Sequence, residues 1–383
     1  MSKLERLIQQ YCPDGVEWKK IEELCKTKTP PCKLKTNEYQ EYGVYPIIDQ
    51  GQKPIAGYTD NEDALVDDGE YILYGDHTCI VKYHNGCFAQ GADGLKILIS
   101  PNNNSKYVYY AFCAYNLLST EYKRHWTQAK EIEIPVPPLP VQEEIVRILD
   151  AFTELQAELQ AELQKRQQQY NFYRDNLLTN FTEEQNVKEY SLGELGTFTR
   201  GNGLQKKDFT KEGVGCIHYG QIYTRFGAFA DKTLTYVNKE LASRLLQVEK
   251  GNLVIACTSE NVEDICKSVA WLGEENICTG GHACVFKHNQ NPKYISYFFQ
   301  TEYFFNQKKK YTYGTKVKDI KPDSIAKIKI SLPSLKEQER IVSILDNLYT
   351  LTNDLTSGLP AEMEKRRQQY EYYRDRLLTF KRL

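Results

Sequence analysis

"PPLPVQEEIVRILD" (Pro137–Asp150) returns later in the chain as "PSLKEQERIVSILD" (Pro333–Asp346). A second block, "KRQQQYNFYRDNLLT" (Lys165–Thr179), returns as "KRRQQYEYYRDRLLT" (Lys365–Thr379). The offset is 196 residues for the first pair and 200 for the second, so the later copy carries four more residues between its blocks. Self-similarity at so long a period indicates two large modules rather than a solenoid of short repeats.

Each repeat predicts a long helix with an apolar seam of the coiled-coil kind, because its apolar residues recur at steps of three and four. In the first copy these residues are Ile145, Ile148, Leu149, Phe152, Leu155, Leu159, Tyr170, Tyr173 and Leu177, and in the second Ile341, Ile344, Leu345, Leu348, Leu351 and Leu355. The natural partner of one helix is the other, packed antiparallel. Two unrelated surface helices are the alternative, which the density of identity disfavours. Gly358 and Pro360 predict a break in the second copy, with Pro360 opening a new first turn.

Between the two blocks of the first copy, "TELQAELQAELQ" (Thr153–Gln164) writes one four-residue unit three times with one change. Since an α-helix has 3.6 residues per turn, each unit adds about 6 Å of length and about 40° of rotation. Such a repeat is suited to setting a distance along the helix axis.

The regions before the two helices, roughly 15–135 and 187–331, differ greatly in sequence but have the same pattern. Each contains short β-branched and aromatic runs between Gly and Asn turns, which predict strands. Each then becomes helical, at Ser105–Trp126 and at Asn291–Tyr313, and ends in a strand that leads into prolines. The chain therefore predicts an α+β fold with two domains, each followed by a long helix.

Composition excludes little. At 383 residues the chain has the length of two or three domains, and its formal net charge of −2 gives no global attraction to a polyanion. Eleven cysteines, an odd number, favour reduced thiols in a cytoplasmic protein. The opening "MSKLERLIQQYCPDG" does not resemble a signal peptide, and no run approaches the roughly 20 apolar residues of a membrane span. We therefore expect no membrane partner.

Enzyme motifs are missing. The chain has no Gly-rich phosphate loop, no Gly-x-Ser-x-Gly elbow and no Asn/Asp-Pro-Pro-aromatic run of an amino-methyltransferase. "TGGH" (Thr279–His282) is too short for a nucleotide site, and we interpret it as a turn between strands. A free-standing enzyme, such as a nuclease with an unrecognised site, stays open as an alternative.

A structural metal site is a more specific alternative to a free-standing enzyme. "HTCIVKYHNGC" places His77, Cys79, His84 and Cys87 close together, and four such ligands suit a structural zinc ion. The spacing lacks the paired cysteines of zinc modules, so we favour a β-hairpin that turns at Asn85-Gly86. A second group, Cys278, His282 and Cys284, is weaker still.

Nucleic-acid contacts are better supported in the second region. Nine lysines lie between 293 and 329, and six of them interleave with aromatics in one stretch: Lys308, Lys309, Lys310, Lys316, Lys318 and Lys321. Lys and Arg attract phosphates, whereas Asn, Gln and Arg read base edges. The candidate contacts are Arg200, Asn202, Lys206, Lys207, Tyr219, Gln221, Tyr223, Arg225, Thr258, Asn261, Thr315 and Lys316, with His218 and Ser259 beside them. For any single residue a solvated basic face with ordinary surface amides is the better explanation. For the set, which clusters on loops ahead of a scaffold helix, nucleic-acid binding is favoured.

The two repeats resemble those of the specificity (S) subunit of type I restriction–modification enzymes. "CPDGVEWKKIEEL" (Cys12–Leu24) is similar to that family's start, and "GLPAEMEKRRQQYEYYRDRLL" (Gly358–Leu378) is especially characteristic. The resemblance covers nearly the whole chain. It implies a first target-recognition domain at 1–137 and a central conserved helix at 138–183. A second target-recognition domain at 184–333 and a C-terminal conserved helix at 334–383 follow.

The resemblance also implies the partners. Two antiparallel helices hold apart two domains that each read half of a bipartite double-stranded DNA site, in a pseudo-twofold arrangement. Two adenine-N6 methyltransferase (M) subunits and restriction/translocase (R) subunits join the chain and carry out catalysis. S-adenosylmethionine, ATP and Mg²⁺ are then cofactors of those partners, with none bound by this chain. In this family a change in the number of four-residue units alters the gap between half-sites.

One departure concerns the first domain. The loop with Gly314, Thr315 and Lys316 has no clear counterpart there, so site residues do not transfer from the second domain. Polar groups at predicted strand ends are the candidates instead: Gln50, Gln52, Lys53, Asp76, His77 and Gln90. Turn-forming surface residues are the alternative explanation for this set. A decayed specificity subunit, acting as a coiled-coil adaptor without DNA recognition, would have the same sequence pattern.

Overall fold

The computed structural model of the chain describes residues 2–116, 123–182, 187–353 and 358–383. The chain divides into two compact units. The first unit comprises Met1–Glu158 together with Glu364–Leu383, and the second comprises Leu159–Met363. Each unit thus contains one predicted α+β region together with parts of both repeat helices.

The first unit is mixed α/β, and four α-helices precede the long one among its described residues. These are α1 (Lys3–Tyr11), α2 (Ile21–Leu24), α3 (Ser105–Tyr115) and α4 (Trp126–Ala129). Its strands are β1 (Glu17–Lys20), β2 (Lys26–Lys28), β3 (Tyr45–Ile48), β4 (Gly57–Thr59), β5 (Leu65–Val66), β6 (Glu70–Gly75), β7 (Val81–Asn85), β8 (Phe88–Gln90), β9 (Leu95–Ile99) and β10 (Glu133–Val136). The helix predicted over Ser105–Trp126 ends at Tyr115, and part of the predicted stretch, 117–122, lies outside the described residues.

The first repeat forms one helix of 41 residues, α5 (Leu139–Thr179), which confirms the long helix predicted there and links the two units. The second repeat forms α12 (Leu335–Asn353) and α13 (Leu359–Leu377). The break predicted from Gly358 and Pro360 is therefore present, and Pro360 lies in the first turn of α13, where a proline costs no intrahelical hydrogen bond.

The second unit begins its own strands after α5. Its strands are β11 (Lys188–Ser191), β12 (Gly196–Arg200), β13 (Val214–Ile217), β14 (Phe229–Ala230), β15 (Thr235–Val237), β16 (Leu246–Val248), β17 (Leu253–Ala256), β18 (Thr258–Ser259), β19 (Ser268–Trp271), β20 (Ile277–Thr279), β21 (Ala283–His288), β22 (Lys318–Asp319) and β23 (Lys329–Leu332). Its short helices are α6 (Leu192–Leu195), α7 (Tyr219–Thr224), α8 (Lys239–Ala242), α9 (Pro292–Phe298), α10 (Glu302–Lys308) and α11 (Pro322–Ile325). The helical stretch predicted from Asn291 is broken at Thr301, whose hydroxyl caps α10 by accepting from the backbone N–H of Phe304 (3.1 Å).

The two units repeat one sheet order, to which the second unit adds one edge strand, β14. In the first unit a sheet of order β2-β9-β6-β7 accompanies one of order β4-β3-β8-β5, and in the second the orders are β12-β21-β17-β19-β14 and β15-β13-β20-β16. A parallel pair joins β3 to β8 and, likewise, β13 to β20. A two-stranded ladder closes each unit, β1 with β10 and β11 with β23. Regions of different sequence therefore have the same topology.

The central strands are buried on both faces. Ile72 and Tyr74 of β6 belong to the core that contains residues of α3 and α5, and Tyr74 stacks on Phe112 at 5.5 Å. Tyr71 and Leu73, which point the opposite way, pack in a second core with residues of β3, β8 and β9. Because side chains alternate along a strand, one short apolar run serves both cores. In the second unit β17 divides its residues between two cores in the same way.

Within the first unit, α5 and α13 pack with opposite chain directions. Phe152 stacks on Tyr373 with ring centroids 5.5 Å apart and meets Tyr370 edge-on at 6.4 Å. Ile148, one turn earlier, lines the same apolar groove as Leu377, one turn later on α13. Later residues of α5 thus contact earlier residues of α13, so the two helices pack antiparallel here, as the repeats predicted.

Candidate nucleic-acid interface

In the second unit the structure brings the predicted loops together at one edge of the sheets. The side chain of Arg200, at the end of β12, forms a bidentate pair with Asp319 (3.0 and 2.7 Å) and donates to the carbonyl of Gly281 (3.1 Å). Burial opposes ionisation of Asp319, but hydrogen bonds from Arg200 and Tyr313 outweigh it, so the pKa of Asp319 lies below its usual value. The Arg200 side chain therefore joins three chain segments rather than standing open to a phosphate.

Aromatic rings form the centre of this cluster. Tyr219 lies between His218 and His282, with ring centroids 4.5 and 4.8 Å away. The hydroxyl of Thr258 is 3.1 Å from Nδ1 of His282. The hydroxyl of Tyr223 donates to the carbonyl of Thr258. The connection after β13, the start of β18 and the turn before β21 are thus held together by side chains.

Five of the predicted contacts have intramolecular partners, but one of them, Asn261, is exposed beside its partner Asp264. The other four are buried or half-buried. Besides Arg200, these are Gln221, Tyr223 and Thr258. Gln221 accepts from the backbone N–H of His218 (3.0 Å) and donates to Thr235 (3.2 Å), so its amide caps α7. We therefore do not carry these four side chains into the proposed DNA contact set, although they position the loops that bear it.

The other predicted residues of the second unit are on its surface. Tyr219 is half-buried, and the exposed members are Asn202, Lys206, Lys207, Arg225, Asn261, Thr315 and Lys316. Lys206 lies close enough to His218 for its charge to add to the effect of burial, which lowers the pKa of that imidazole. Amide, ammonium and guanidinium groups are thus exposed on the surface of the second unit.

Two glycine positions explain how the loops approach so closely. A Cβ atom on Gly201 would lie 2.4 Å from the carbonyl oxygen of Gly280, which leaves no room for a side chain. Gly314 has φ +101° and opens the loop that carries Thr315 and Lys316, and Tyr313 bridges to Asp319 across it. Both positions need the conformational freedom or the small size of glycine.

The lysine-rich stretch divides between surface and core. Lys309, Lys310 and Lys321 are exposed, whereas Lys318 donates to the carbonyl of Gly314 (2.8 Å). Lys308 is 4% exposed and lies in the protein interior. The interpretation of this residue as part of a solvated or phosphate-binding basic run is wrong, because its ammonium is used inside the domain.

In the first unit the predicted residues also gather at one end of the sheets, but the side chains of Gln50 and Asp76 bond internally. Gln50 accepts from the backbone N–H of His77 (3.1 Å) and donates to the carbonyl of Asp93 (3.1 Å). The buried carboxylate of Asp76 accepts from the backbone N–H groups of His125 (3.0 Å) and Trp126 (2.8 Å) at the start of α4. These groups build the loops.

Gln90 is 1% exposed, and its main-chain carbonyl accepts from the backbone N–H of Leu34 (3.0 Å). Its buried side chain gives it no surface for a base, so we leave it out of the proposed contacts. Gln52 and Lys53 are exposed on the loop between β3 and β4. Basic groups lie beside Asp93, whose main-chain carbonyl accepts from Gln50. Lys33 pairs with Asp93 (2.6 Å), and hydrogen bonding from Lys33, with the charge of Arg124, lowers the pKa of Asp93.

The predicted hairpin at Asn85-Gly86 is wrong in one respect. The chain does turn there, and Gly86 has φ +119°, but β7 pairs with β6 whereas β8 pairs with β3 and β5. The two strands therefore belong to different sheets. Among the described residues, no group of three or more His, Cys, Asp or Glu side chains is arranged to hold a metal ion. All eleven cysteines are free thiols.

Sequence reasoning missed two residues at the centre of the second cluster. The prediction of a turn at Thr279–His282 is confirmed between β20 and β21, but the turn also places His282 among the candidate contacts. The other missed residue is Asp319, an acidic side chain within the lysine-rich stretch. Its role depends on Arg200, 119 positions earlier, so no local pattern marks it. Across the part of the chain that the structure describes, no helix is both long and apolar enough to cross a bilayer.

Comparisons with known proteins agree on one family. The chain matches the type I restriction modification DNA specificity domain over residues 13–166 and 184–365. It is 31% identical to the EcoR124I/EcoR124II specificity subunit of Escherichia coli, over 99% of this chain and 97% of the relative. A putative type I restriction enzyme specificity subunit of Haemophilus influenzae is also 31% identical, over 98% of each. The solved S subunit of a type I system from M. genitalium shares the fold, with a TM-score of 0.57, 16% identity and coverage of 96% and 97%.

Proposed function

The chain belongs to the type I restriction–modification specificity subunit family, and on that premise we propose that each of its units reads one half of a bipartite double-stranded DNA site. Specificity subunits recognise DNA and are not catalytic, in keeping with the missing enzyme motifs. The observation that carries the proposal is the repeated sheet order of the two units, each with a cluster of polar loops at one edge. Two copies of one topology suit two half-sites.

The proposed contacts of the second unit combine three kinds of group. Lys206, Lys207 and Lys316 supply positive charge for phosphates, and Asn202, Arg225 and Asn261 supply donors and acceptors for base edges. Tyr219, Thr315 and His282 complete the surface. In the first unit the proposed contacts are Gln52, Lys53 and His77, with Lys33 and Arg124 as charged neighbours.

We propose that the repeat helices dock the methyltransferase (M) subunits. Aromatic pairs at equivalent repeat positions stand exposed: Phe172 with Tyr173, and Tyr372 with Tyr373. Exposed aromatic pairs on a helix favour a protein partner, because leaving such area in water is unfavourable. Restriction/translocase (R) subunits would join through the same assembly, in the cytoplasm. S-adenosylmethionine, ATP and Mg²⁺ would then be bound by the partners.

The four-residue units of α5 would set the gap between half-sites. Leu155, Leu159 and Leu163 are half-buried along the helix, one in each unit. One unit adds about 6 Å and about 40°, and DNA rises about 3.4 Å and turns about 34–36° per base pair. The rotational match favours one base pair of spacing per unit.

Methylome sequencing tests the proposal. The chain would be expressed with its neighbouring M subunit in cells whose genome has no matching methylation. N6-methyladenine at a two-part motif with a fixed gap is the expected result. A stable complex with the M subunit but no new methylation would instead support an adaptor without DNA recognition. Cleavage of DNA by the purified chain with Mg²⁺ alone would support a free-standing nuclease.

A further inference from the structure

Two largely buried lysines hold loops of the two polar clusters by their backbones. Lys82 lies on β7 in the first unit, and Lys308 ends α10 in the second. Neither belongs to the proposed contact set. In both, the ammonium group donates to two main-chain carbonyl oxygens of one loop.

In the first unit the loop is short and is held at both ends. Nζ of Lys82 donates to the carbonyl oxygen of Asp49 (2.9 Å) and to that of Lys53 (2.6 Å). The residues between them include Gln50, whose amide reaches Asp93 and His77, and the exposed Gln52. The side chain of Lys82 is only 11% exposed. One ammonium therefore fixes the distance between the two ends of the loop.

In the second unit the loop lies between β18 and β19. Nζ of Lys308 donates to the carbonyl oxygens of Glu263 (2.9 Å) and Ile265 (2.5 Å). The same loop carries Asn261, which exchanges hydrogen bonds with Asp264 (2.8 and 2.7 Å). Its return to β19 passes through Cys266 at φ +65°, an unusual conformation for a residue with a side chain.

These arrangements are not a by-product of the shared topology. Lys82 lies on a strand and Lys308 on a helix. Lys82 bonds to the loop between β3 and β4, whereas Lys308 bonds to the loop between β18 and β19. Burying an ammonium group is unfavourable, and burial lowers the pKa of both lysines. A surface loop without a positional requirement can satisfy its carbonyls with water. In each unit, instead, a buried ammonium group donates to the main chain of a loop that bears proposed contacts.

We infer that Lys82 and Lys308 are positioning residues for DNA specificity, each fixing one recognition loop of its own unit without touching DNA. The inference rests on the proposed function, since it assigns these loops to base reading. Each lysine governs one half-site only. The gap between the half-sites does not depend on either.

The test replaces each lysine by methionine, which keeps the length of the side chain and removes the donors. The Lys82→Met and Lys308→Met chains would each be expressed with the M subunit, and the methylome compared with that of the wild type. We expect each variant to lose roughly tenfold in base discrimination at one half-site, the size of one weakened base contact, with the other half-site and the gap unchanged. The two variants should affect opposite half-sites.

Exposed lysines of the same units are the matched controls. Lys26→Met on β2 and Lys239→Met on α8 should leave both half-sites as in the wild type. Lys82→Arg keeps hydrogen-bond donors at this position, so it should restore the base discrimination that Lys82→Met loses. A purely structural role would lower thermal stability without separating the half-sites, so the half-site readout distinguishes the two roles.

Hydrogen–deuterium exchange of the assembled complex covers the case in which a variant methylates poorly. Peptides spanning 49–53 should exchange faster in Lys82→Met, and those spanning 259–266 faster in Lys308→Met. Unchanged exchange in these peptides, or an equal loss of base discrimination at both half-sites, would overturn the inference. The proposed function would still stand in that case, provided that the wild-type chain gave a two-part motif. A wild-type chain that gave no two-part motif would remove the proposed function and this inference with it.

Discussion

Lys293 and Asp346 form an ion pair of 2.7 Å that ties α9 to α12 in the second unit. The other oxygen of Asp346 accepts from the hydroxyl of Tyr297 (2.6 Å). In the first unit Asp150 of α5 makes the same two bonds, to Lys106 (2.7 Å) and to Tyr110 (2.8 Å). The repeat thus includes a Lys–Tyr–Asp clamp between a domain helix and the long helix that follows it. Two buried glutamines, Gln142 and Gln338, add a second repeated anchor by accepting from the residue that caps each domain helix.

Removing the charge of the clamp should destabilise its unit. Asp346→Asn loses the ion pair and weakens the bond from Tyr297, and we expect the free energy of unfolding to fall by about 1–2 kcal/mol. Urea denaturation measures this change. Glu240→Gln is the matched control, because its pair with Arg244 is mostly exposed and such pairs contribute under about 1 kcal/mol. Equal effects of the two substitutions would contradict the clamp.

Deleting one unit of the helix repeat should shorten the DNA gap. Removal of Ala157–Gln160 shortens α5 by about 6 Å with about 40° of rotation. We expect the spacer to shrink by one base pair while both half-site sequences stay the same, as measured by the methylome. A deletion mutant that kept the original gap would show that these units do not set the spacing.

Acid should weaken the attachment of α1 to α5. The hydrogen bond from Arg147, helped by Lys3 and opposed by burial, lowers the pKa of Glu144 from 4.5 to about 2. The folded state therefore favours the carboxylate, so its stabilisation is present above pH 4.5 and is lost as the pH falls towards 2. Since Lys3 and Arg147 are largely exposed, screening reduces this stabilisation to about 1–2 kcal/mol.

Thermal unfolding of Glu144→Gln across this pH range checks the expectation. The variant should be less stable than the wild type at neutral pH and should lose less stability between pH 4.5 and 2. Glu143→Gln, at the exposed neighbouring position, should follow the wild-type curve. Parallel curves for the wild type and Glu144→Gln would contradict the assignment.

Phosphate contacts should appear in the salt dependence of DNA binding. For Lys206→Ala and Lys207→Ala, each lost contact should reduce the slope of log affinity against log salt by about one. Titration of the complex with M subunits on a duplex that contains the methylome motif measures this slope. Lys239→Ala, on a different exposed segment, should keep the wild-type slope. If all three variants had the same slope of log affinity against log salt, Lys206 and Lys207 would not contact phosphates.

Local patterns in the sequence determined the scaffold. The duplicated blocks predicted the long helices, and Gly358 with Pro360 predicted the break before α13, because helix period, caps and breakers depend on residues a few positions apart. The turn at Thr279–His282 follows from its two glycines in the same way. The sequence also predicted one α+β region before each long helix.

Only the tertiary structure decided how those polar groups are used. Arg200, an apparent DNA contact, is paired with Asp319, and Lys308, one lysine of a basic run, is buried against the backbone of a distant loop. Gln90 ends a strand with its side chain in the interior. Each of these outcomes depends on which segments meet after folding, and partners more than 40 residues apart leave no periodic signal in the sequence. The repeated sheet order of the two units was hidden for the same reason, since strand pairing is a long-range property that different sequences satisfy equally well.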